Sequence, residues 1–123
     1  MSKALLSINP EYVKKIFDGT KRFEFRKTIT KKSIDSIVIY ETYPTMKVVG
    51  EAKVKKIIIG EPNDVWEKTK EFSGVDREFF DKYYQNKYNA VVYELTDVVK
   101  YNEPKDLSVY GLKHAPQSFV YLP

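Results

Sequence analysis

Between positions 19 and 26 the chain reads Gly-Thr-Lys-Arg-Phe-Glu-Phe-Arg, and its charged residues have the types and spacing to recognise a nucleotide. Phe23 and Phe25 alternate with Arg22, Glu24 and Arg26, the pattern of a strand with one apolar and one charged face over Arg22–Lys27. Residues two apart on one strand face stand about 6.6–6.8 Å apart, so Glu24 and Arg26 can offer a carboxylate and a guanidinium to the same ligand. A carboxylate accepts hydrogen bonds from the amino and ring N–H groups of a base. Arg presents a planar fork to phosphate, and Lys21 a mobile point charge. The same spacing also suits a plain surface ion pair between Glu24 and Arg26, worth about 0–1 kcal/mol, with Lys21 solvated.

Charge supports the first reading. Residues 14–32 hold eight Lys and Arg against Asp18 and Glu24, a net +6 in a chain whose formal charge is +4. A concentrated basic patch on a nearly balanced body is the footprint of phosphate binding, although a solvated lysine-rich surface has the same composition. Lys14, Lys15, Lys27, Lys31 and Lys32 are all expected to add backbone attraction. Positions 61–106 carry 11 acids against 7 bases and are expected to form the side turned away from phosphate.

The elements that must position this segment are legible. Lys3–Ile8 reads as a strand; Asn9-Pro10 then opens a helix, with Tyr12, Val13, Ile16 and Phe17 on one stripe and Gly19 as its stop. Ser36–Glu41 and Lys47–Ile59 read as strands, the second with a phase slip near Lys55-Lys56 that predicts a bulge. Pro62–Thr69 and Asp76–Gln85 read as helices, Asn89–Val99 as a strand. From Tyr101 through Pro116 the chain is expected to be irregular, before a last strand at Ser118–Leu122. Regular alternation of strand and helix is missing, which argues against a doubly wound parallel sheet. The prediction is an α+β fold: a small bent sheet or β-barrel with flanking helices, forming one domain over residues 1–123.

Composition sets the outer bounds. With 42% hydrophobic residues and 17 Phe and Tyr in 123 residues, the chain can build a core unaided. The absence of Cys and the single His114 leave no metal centre, no cofactor and no thiol nucleophile to expect. The apolar run at the N-terminus is too short for a signal peptide, and no stretch approaches the ~20 apolar residues of a membrane span. The expectation is a cytoplasmic protein without a membrane partner, its protein partner unknown.

The pattern Gly19-x-Lys21-x-x-Glu24-x-Arg26 directly after a short helix resembles the signature of ASCH domains of the PUA-like superfamily. Further segments carry the resemblance: Leu6-Ser7-Ile8-x-Pro10 with Ile16, Ile39-Tyr40 followed by Tyr43-Pro44, Val49-Gly50-Glu51, and Pro116-Gln117-Ser118-Phe119. These features cover almost the whole chain, ending at Phe119. The resemblance implies a PUA-like barrel with a cleft at the motif strand and a role in binding RNA or a nucleotide, modified bases included. Lys21, Glu24 and Arg26 carry over as cleft residues and Gly19 as the turn that aims them. Some small ASCH proteins hydrolyse acetylcytidine with the motif Lys as a catalytic residue and a Thr where this chain has Glu24. That departure counts against an amidohydrolase, because Glu does not replace a Thr nucleophile. It leaves Lys21 and Glu24 as the catalytic pair of an alternative hydrolase, an amidohydrolase or ribonuclease with Glu24 as general base. A third class is a protein-interaction module whose basic face meets an acidic partner.

Among the remaining residues, Tyr43 in Thr42-Tyr43-Pro44 follows a strand and is a candidate to stack on a base at a loop mouth. Tyr40 and Tyr110 are more ordinary as core or rim residues. Gln117 and Ser118 offer an amide and a hydroxyl from an irregular segment, either to the ligand or to hold the C-terminus. His114 is expected at the surface. Trp66, Phe79, Phe80, Tyr83 and Tyr84 stand at helical spacing and are expected in the core.

Overall fold

The computed structural model describes residues 2–123. Strand β1 (Lys3–Ile8) leads into helix α1 (Pro10–Asp18), started by Asn9 in extended backbone with Pro10 in the first turn. Val13 and Ile16 are buried against the sheet while Lys14 and Asp18 face water, the division that the 3.6-residue period demands. Gly19 ends the helix at φ +86°, where its N–H reaches Ile16 O. The chain then enters β2 (Phe23–Arg26) and β3 (Ser36–Glu41).

Two long strands follow, β4 (Lys47–Gly60) and β5 (Ala90–Lys105), with helices α2 (Pro62–Thr69) and α3 (Arg77–Tyr83) between them. Glu61 caps α2 and Asp76 caps α3 through side-chain bonds to the Asp64 and Phe79 N–H groups. A final strand, β6 (Phe119–Leu122), pairs antiparallel with β1. The sheet order is β2-β5-β4-β3-β1-β6, curled into a half-barrel with the three helices packed on it, and only β1 and β3 run parallel. The α+β fold with a bent sheet and flanking helices expected from the sequence is the one observed.

Packing divides by face. Leu6, Ile8, Val13, Ile16, Ile39 and Tyr93 fill the space between α1 and the sheet. Phe23, Phe25, Val65, Phe80, Tyr84 and Val92 form a second core under α2 and α3. Each buried side chain of this size contributes about 1.5–3 kcal/mol relative to exposure, so the two clusters hold the helices in place. Tyr40 is buried in a third cluster on the opposite face, where Tyr110 also packs.

Two strands depart clearly from expectation, and one expected irregularity is observed. The motif strand is shorter than Arg22–Lys27, and both its faces are covered rather than one, because the sheet curls over its charged face. The phase slip at Lys55-Lys56 does mark a register shift against β5, between Val54 and Lys56. Strand β5 runs on to Lys105 instead of stopping near Val99, although its pairing jumps from Gly50–Lys100 to Val48–Lys105, leaving Tyr101–Pro104 outside the regular ladder. Pro104, which has no N–H to give, is accommodated there.

Candidate nucleic-acid interface

The two edge strands of the curled sheet, β2 and β6, face one another without pairing, and Arg26 spans the gap. Its Nη1 donates to Ser118 Oγ at 3.0 Å and to Ser118 O at 3.5 Å, and its Nη2 donates to Ser7 O at 3.3 Å and to Glu24 Oε2 at 2.7 Å. Ser7 on β1 holds the segment before β6, extending the β1–β6 pairing: it donates Oγ to Pro116 O at 2.7 Å and its N–H to Ser118 O at 3.1 Å. Arg26 Nε is buried with no partner among the described residues.

Beside this seam lies a cavity of about 180 Å³. Lys21, Glu24 and Arg26 line it together with Ser7 and Asn9 from the β1–α1 corner, Tyr12 from α1, Val75, and Phe79 and Tyr83 from α3. The sequence motif therefore converges on one hollow. Glu24 is only 7% exposed, and its partnership with Arg26 is what allows a carboxylate to sit there.

Lys21 is more deeply placed, at 3% exposure. Its stem lies against Gly74, whose φ is +73° and where a Cβ would stand 2.6 Å from Lys21 Cβ, Cγ and Cδ. Its ammonium donates to Ser73 O at 2.7 Å and lies 4.8 Å from the Phe25 ring centre and 5.4 Å from that of Tyr12. Burial lowers its pKa to about 8, against the raising influence of the Glu24 carboxylate, with Lys15 and Arg26 lowering it further. Lys15 is held to the same loop, donating to Gly74 O at 3.0 Å. Burial, first of all, pushes the Tyr12 and Tyr83 phenols above their ordinary value, so both remain neutral hydroxyls near neutral pH.

The other expected site residues are more dispersed. Ser118 is at the seam, bonded to Arg26, while the neighbouring Gln117 is exposed and outside the cavity lining. Tyr43 is 80% exposed and also outside the lining, although the adjacent Thr42 donates to the side chain of Asn9, which does line the cavity. His114 is exposed.

Sequence reasoning passed over Phe79, Tyr83, Tyr12, Ser7 and Asn9. The aromatic stripe of α3 was expected in the core as a unit, yet Phe80 and Tyr84 are buried while Phe79 is 43% exposed and stacks with Tyr83 at 6.0 Å and 12°. The signal was present in the spacing. Positions 79 and 83 share one helix face and 80 and 84 the next, about 100° away, so a short helix packed on one side cannot bury both pairs equally.

A six-stranded curled sheet with α1 leading straight into a Gly-x-Lys-x-x-Glu-x-Arg strand, and that strand's charges gathered in a hollow at its seam, defines an ASCH-type fold. The chain belongs to the ASCH domain family, whose model matches residues 6–104. It is similar over 98% of its length to the crystal structure of ASCH from Zymomonas mobilis, with a TM-score of 0.89, 26% identity and 87% of that chain covered. An ASCH domain-containing ribonuclease of Zymomonas mobilis is 29% identical over 96 residues, 77% of this chain and 65% of that protein. The large ribosomal subunit protein uL22 of Ureaplasma parvum is 33% identical over 119 residues, 96% of this chain. The chain spans 38% of the length of that ribosomal relative. No helix among the described residues is long and apolar enough to cross a membrane.

Proposed function

We propose that this ASCH domain binds single-stranded RNA or a nucleotide by taking one base into the cavity beside the β2–β6 seam. The observation that carries this reading is the convergence of a buried ammonium, a carboxylate–guanidinium pair and a stacked Phe79–Tyr83 face on one hollow. Glu24 accepts from base N–H groups, Lys21 donates to a carbonyl or phosphate oxygen, Arg26 holds the Glu24 carboxylate in place, and the aromatic face supplies stacking. At about 180 Å³ the hollow is smaller than the ~300–1,000 Å³ of drug-sized ligand sites, which suits a single base with the rest of the ligand outside. Modified bases belong to the same ligand class. Fluorescence anisotropy with short single-stranded RNAs and free nucleotides tests the proposal. Binding that weakens on Lys21→Gln and Glu24→Gln substitution is expected, and no binding to any of them overturns it.

A second reading is RNA cleavage, favoured by the relative described as an ASCH domain-containing ribonuclease and by a Lys21 whose pKa burial lowers to about 8. Glu24 would take the proton from a ribose 2′-hydroxyl as that oxygen attacks the adjacent phosphorus. The bond from phosphorus to the 5′-oxygen then breaks, and Lys21 gives that oxygen its proton. End-labelled RNA should yield fragments with 2′,3′-cyclic phosphate termini, and intact RNA after prolonged incubation removes this reading while leaving the first in place.

A further inference from the structure

The basic residues of positions 14–32 do not form one surface. Lys14 lines an open hollow on the far side of α1, with Pro10, Phe17 and Lys100, and Lys15 is occupied by Gly74 O. The loop that connects β2 to β3 is different. It leaves the cavity directly at Arg26 and carries Lys27, Lys31 and Lys32, all exposed, and no acidic residue before Asp35. None of the three lysines has a salt-bridge partner among the described residues, whereas Lys47, Lys53, Lys55, Lys56 and Lys70 each face a carboxylate.

The loop is also anchored. Thr30 is buried, its N–H donating to Tyr93 Oη at 3.2 Å, and the Lys32 N–H donates to Tyr121 Oη at 3.0 Å. The Lys27 ammonium lies 4.7 Å from the ring centre of Tyr83, which lines the cavity, and that of Lys32 lies 5.2 Å from the ring centre of Tyr121 on β6. The loop thus holds a line of cations from the cavity wall to the outer edge strand. Exposed cations without a carboxylate partner, starting with Lys27 beside a cavity-lining ring, match the charge of a polyanion whose backbone passes the hollow.

We propose that the 27–32 loop is the backbone track for the RNA strand, with Lys27, Lys31 and Lys32 contacting phosphates that flank the base held in the cavity. This rests on the RNA reading above and adds a direction: the strand leaves over β6, not across α1. The partner is a single-stranded polyanion longer than one nucleotide.

The test is the salt dependence of affinity for a short fluorescent single-stranded RNA, comparing wild type, a combined Lys27→Gln, Lys31→Gln, Lys32→Gln variant and Lys14→Gln. Each lost phosphate contact lowers the log–log slope by about 0.7 for single strands, so the loop variant should flatten it by about two units and Lys14→Gln should leave it unchanged. A mononucleotide should bind wild type and loop variant with similar slopes. If wild type binds RNA but the loop variant keeps its slope, the track is overturned and the cavity reading survives. A slope lost in Lys14→Gln instead places the strand on the other side of α1. Wild type that binds no RNA removes both. A thermal melt unchanged from wild type keeps a folding defect from imitating the expected result.

Discussion

Arg26 Nη1 donates to Ser118 Oγ at 3.0 Å, so one guanidinium joins the two edges of the sheet that the backbone leaves unpaired. Replacing Arg26 by Met removes the seam bonds and strands the Glu24 carboxylate in a buried place. Removing one partner of such a pair costs about 3–5 kcal/mol. The variant should show that loss in urea denaturation, and pairing it with Glu24→Met should recover part of it. Equal stability of wild type and Arg26→Met would mean that the Arg26 bonds contribute nothing to holding β2 beside the β6 edge.

Lys21 makes binding and stability respond to pH in opposite senses. An ordinary lysine keeps its proton to pH ~10.4, whereas this one loses it around pH 8. RNA affinity should fall as pH rises from about 7 to about 9, while affinity in Lys21→Gln should be low and flat across that range. Because the folded pKa is the lower one, the unfolded chain binds more protons between about pH 8 and pH 10.4. Lys21 therefore contributes stability that rises with pH in that window. Comparing denaturation of wild type and Lys21→Gln at both ends of the window checks the sign.

Gly74 and Gly111 separate backbone strain from the fit around Lys21. Both have positive φ, but a Cβ at position 111 meets nothing within 4 Å while one at position 74 collides with the Lys21 stem. Gly111→Ala should cost about 1–2 kcal/mol from the left-handed backbone alone. Gly74→Ala should cost more and also weaken RNA binding, because Lys21 is displaced. Thermal melts and anisotropy on the two variants measure this, and identical behaviour would show that Gly74 is present only for its backbone.

Phe79 and Phe80 are neighbours with different duties. Phe80→Ala should lower stability by about 3–5 kcal/mol, since the ring is buried under Trp66, Phe25 and Tyr84. Phe79→Ala should leave stability nearly intact and reduce RNA affinity by about 1–3 kcal/mol, the scale of one base–aromatic stack. Denaturation and anisotropy on each variant separate the two, and a Phe79→Ala protein with wild-type affinity removes stacking from the account.

Much of this was legible in the residues. Asn9-Pro10 and Gly19 mark both ends of α1, the β-branched apolar run in Ser36–Glu41 marks β3, and the slip at Lys55-Lys56 marks a real register shift, because each depends on local backbone preference. Strand spacing put Glu24 and Arg26 on one face, while the cleft that gathers them with Lys21 was what the resemblance implied. What was hidden depends on neighbours distant in sequence. The far reach of β5 is set by pairing with β4, and the role of Phe79 by what packs beside α3. Lys15 and Lys27 look alike in the sequence. Only the tertiary fold occupies one with Gly74 and leaves the other free of any carboxylate.

The antiparallel pairing of β1 with β6 sets Lys3 opposite Leu122, so the beginning and the end of the described polypeptide stand side by side. That junction is four residues along β1 from Ser7, roughly 13 Å from the cavity at strand rise. Extra polypeptide attached at either extremity would thus depart from the end of β1 opposite the cavity-lining Ser7 and Ile8. Such an architecture is portable: it can be joined to a larger protein at one point while the cavity beside Arg26 stays open.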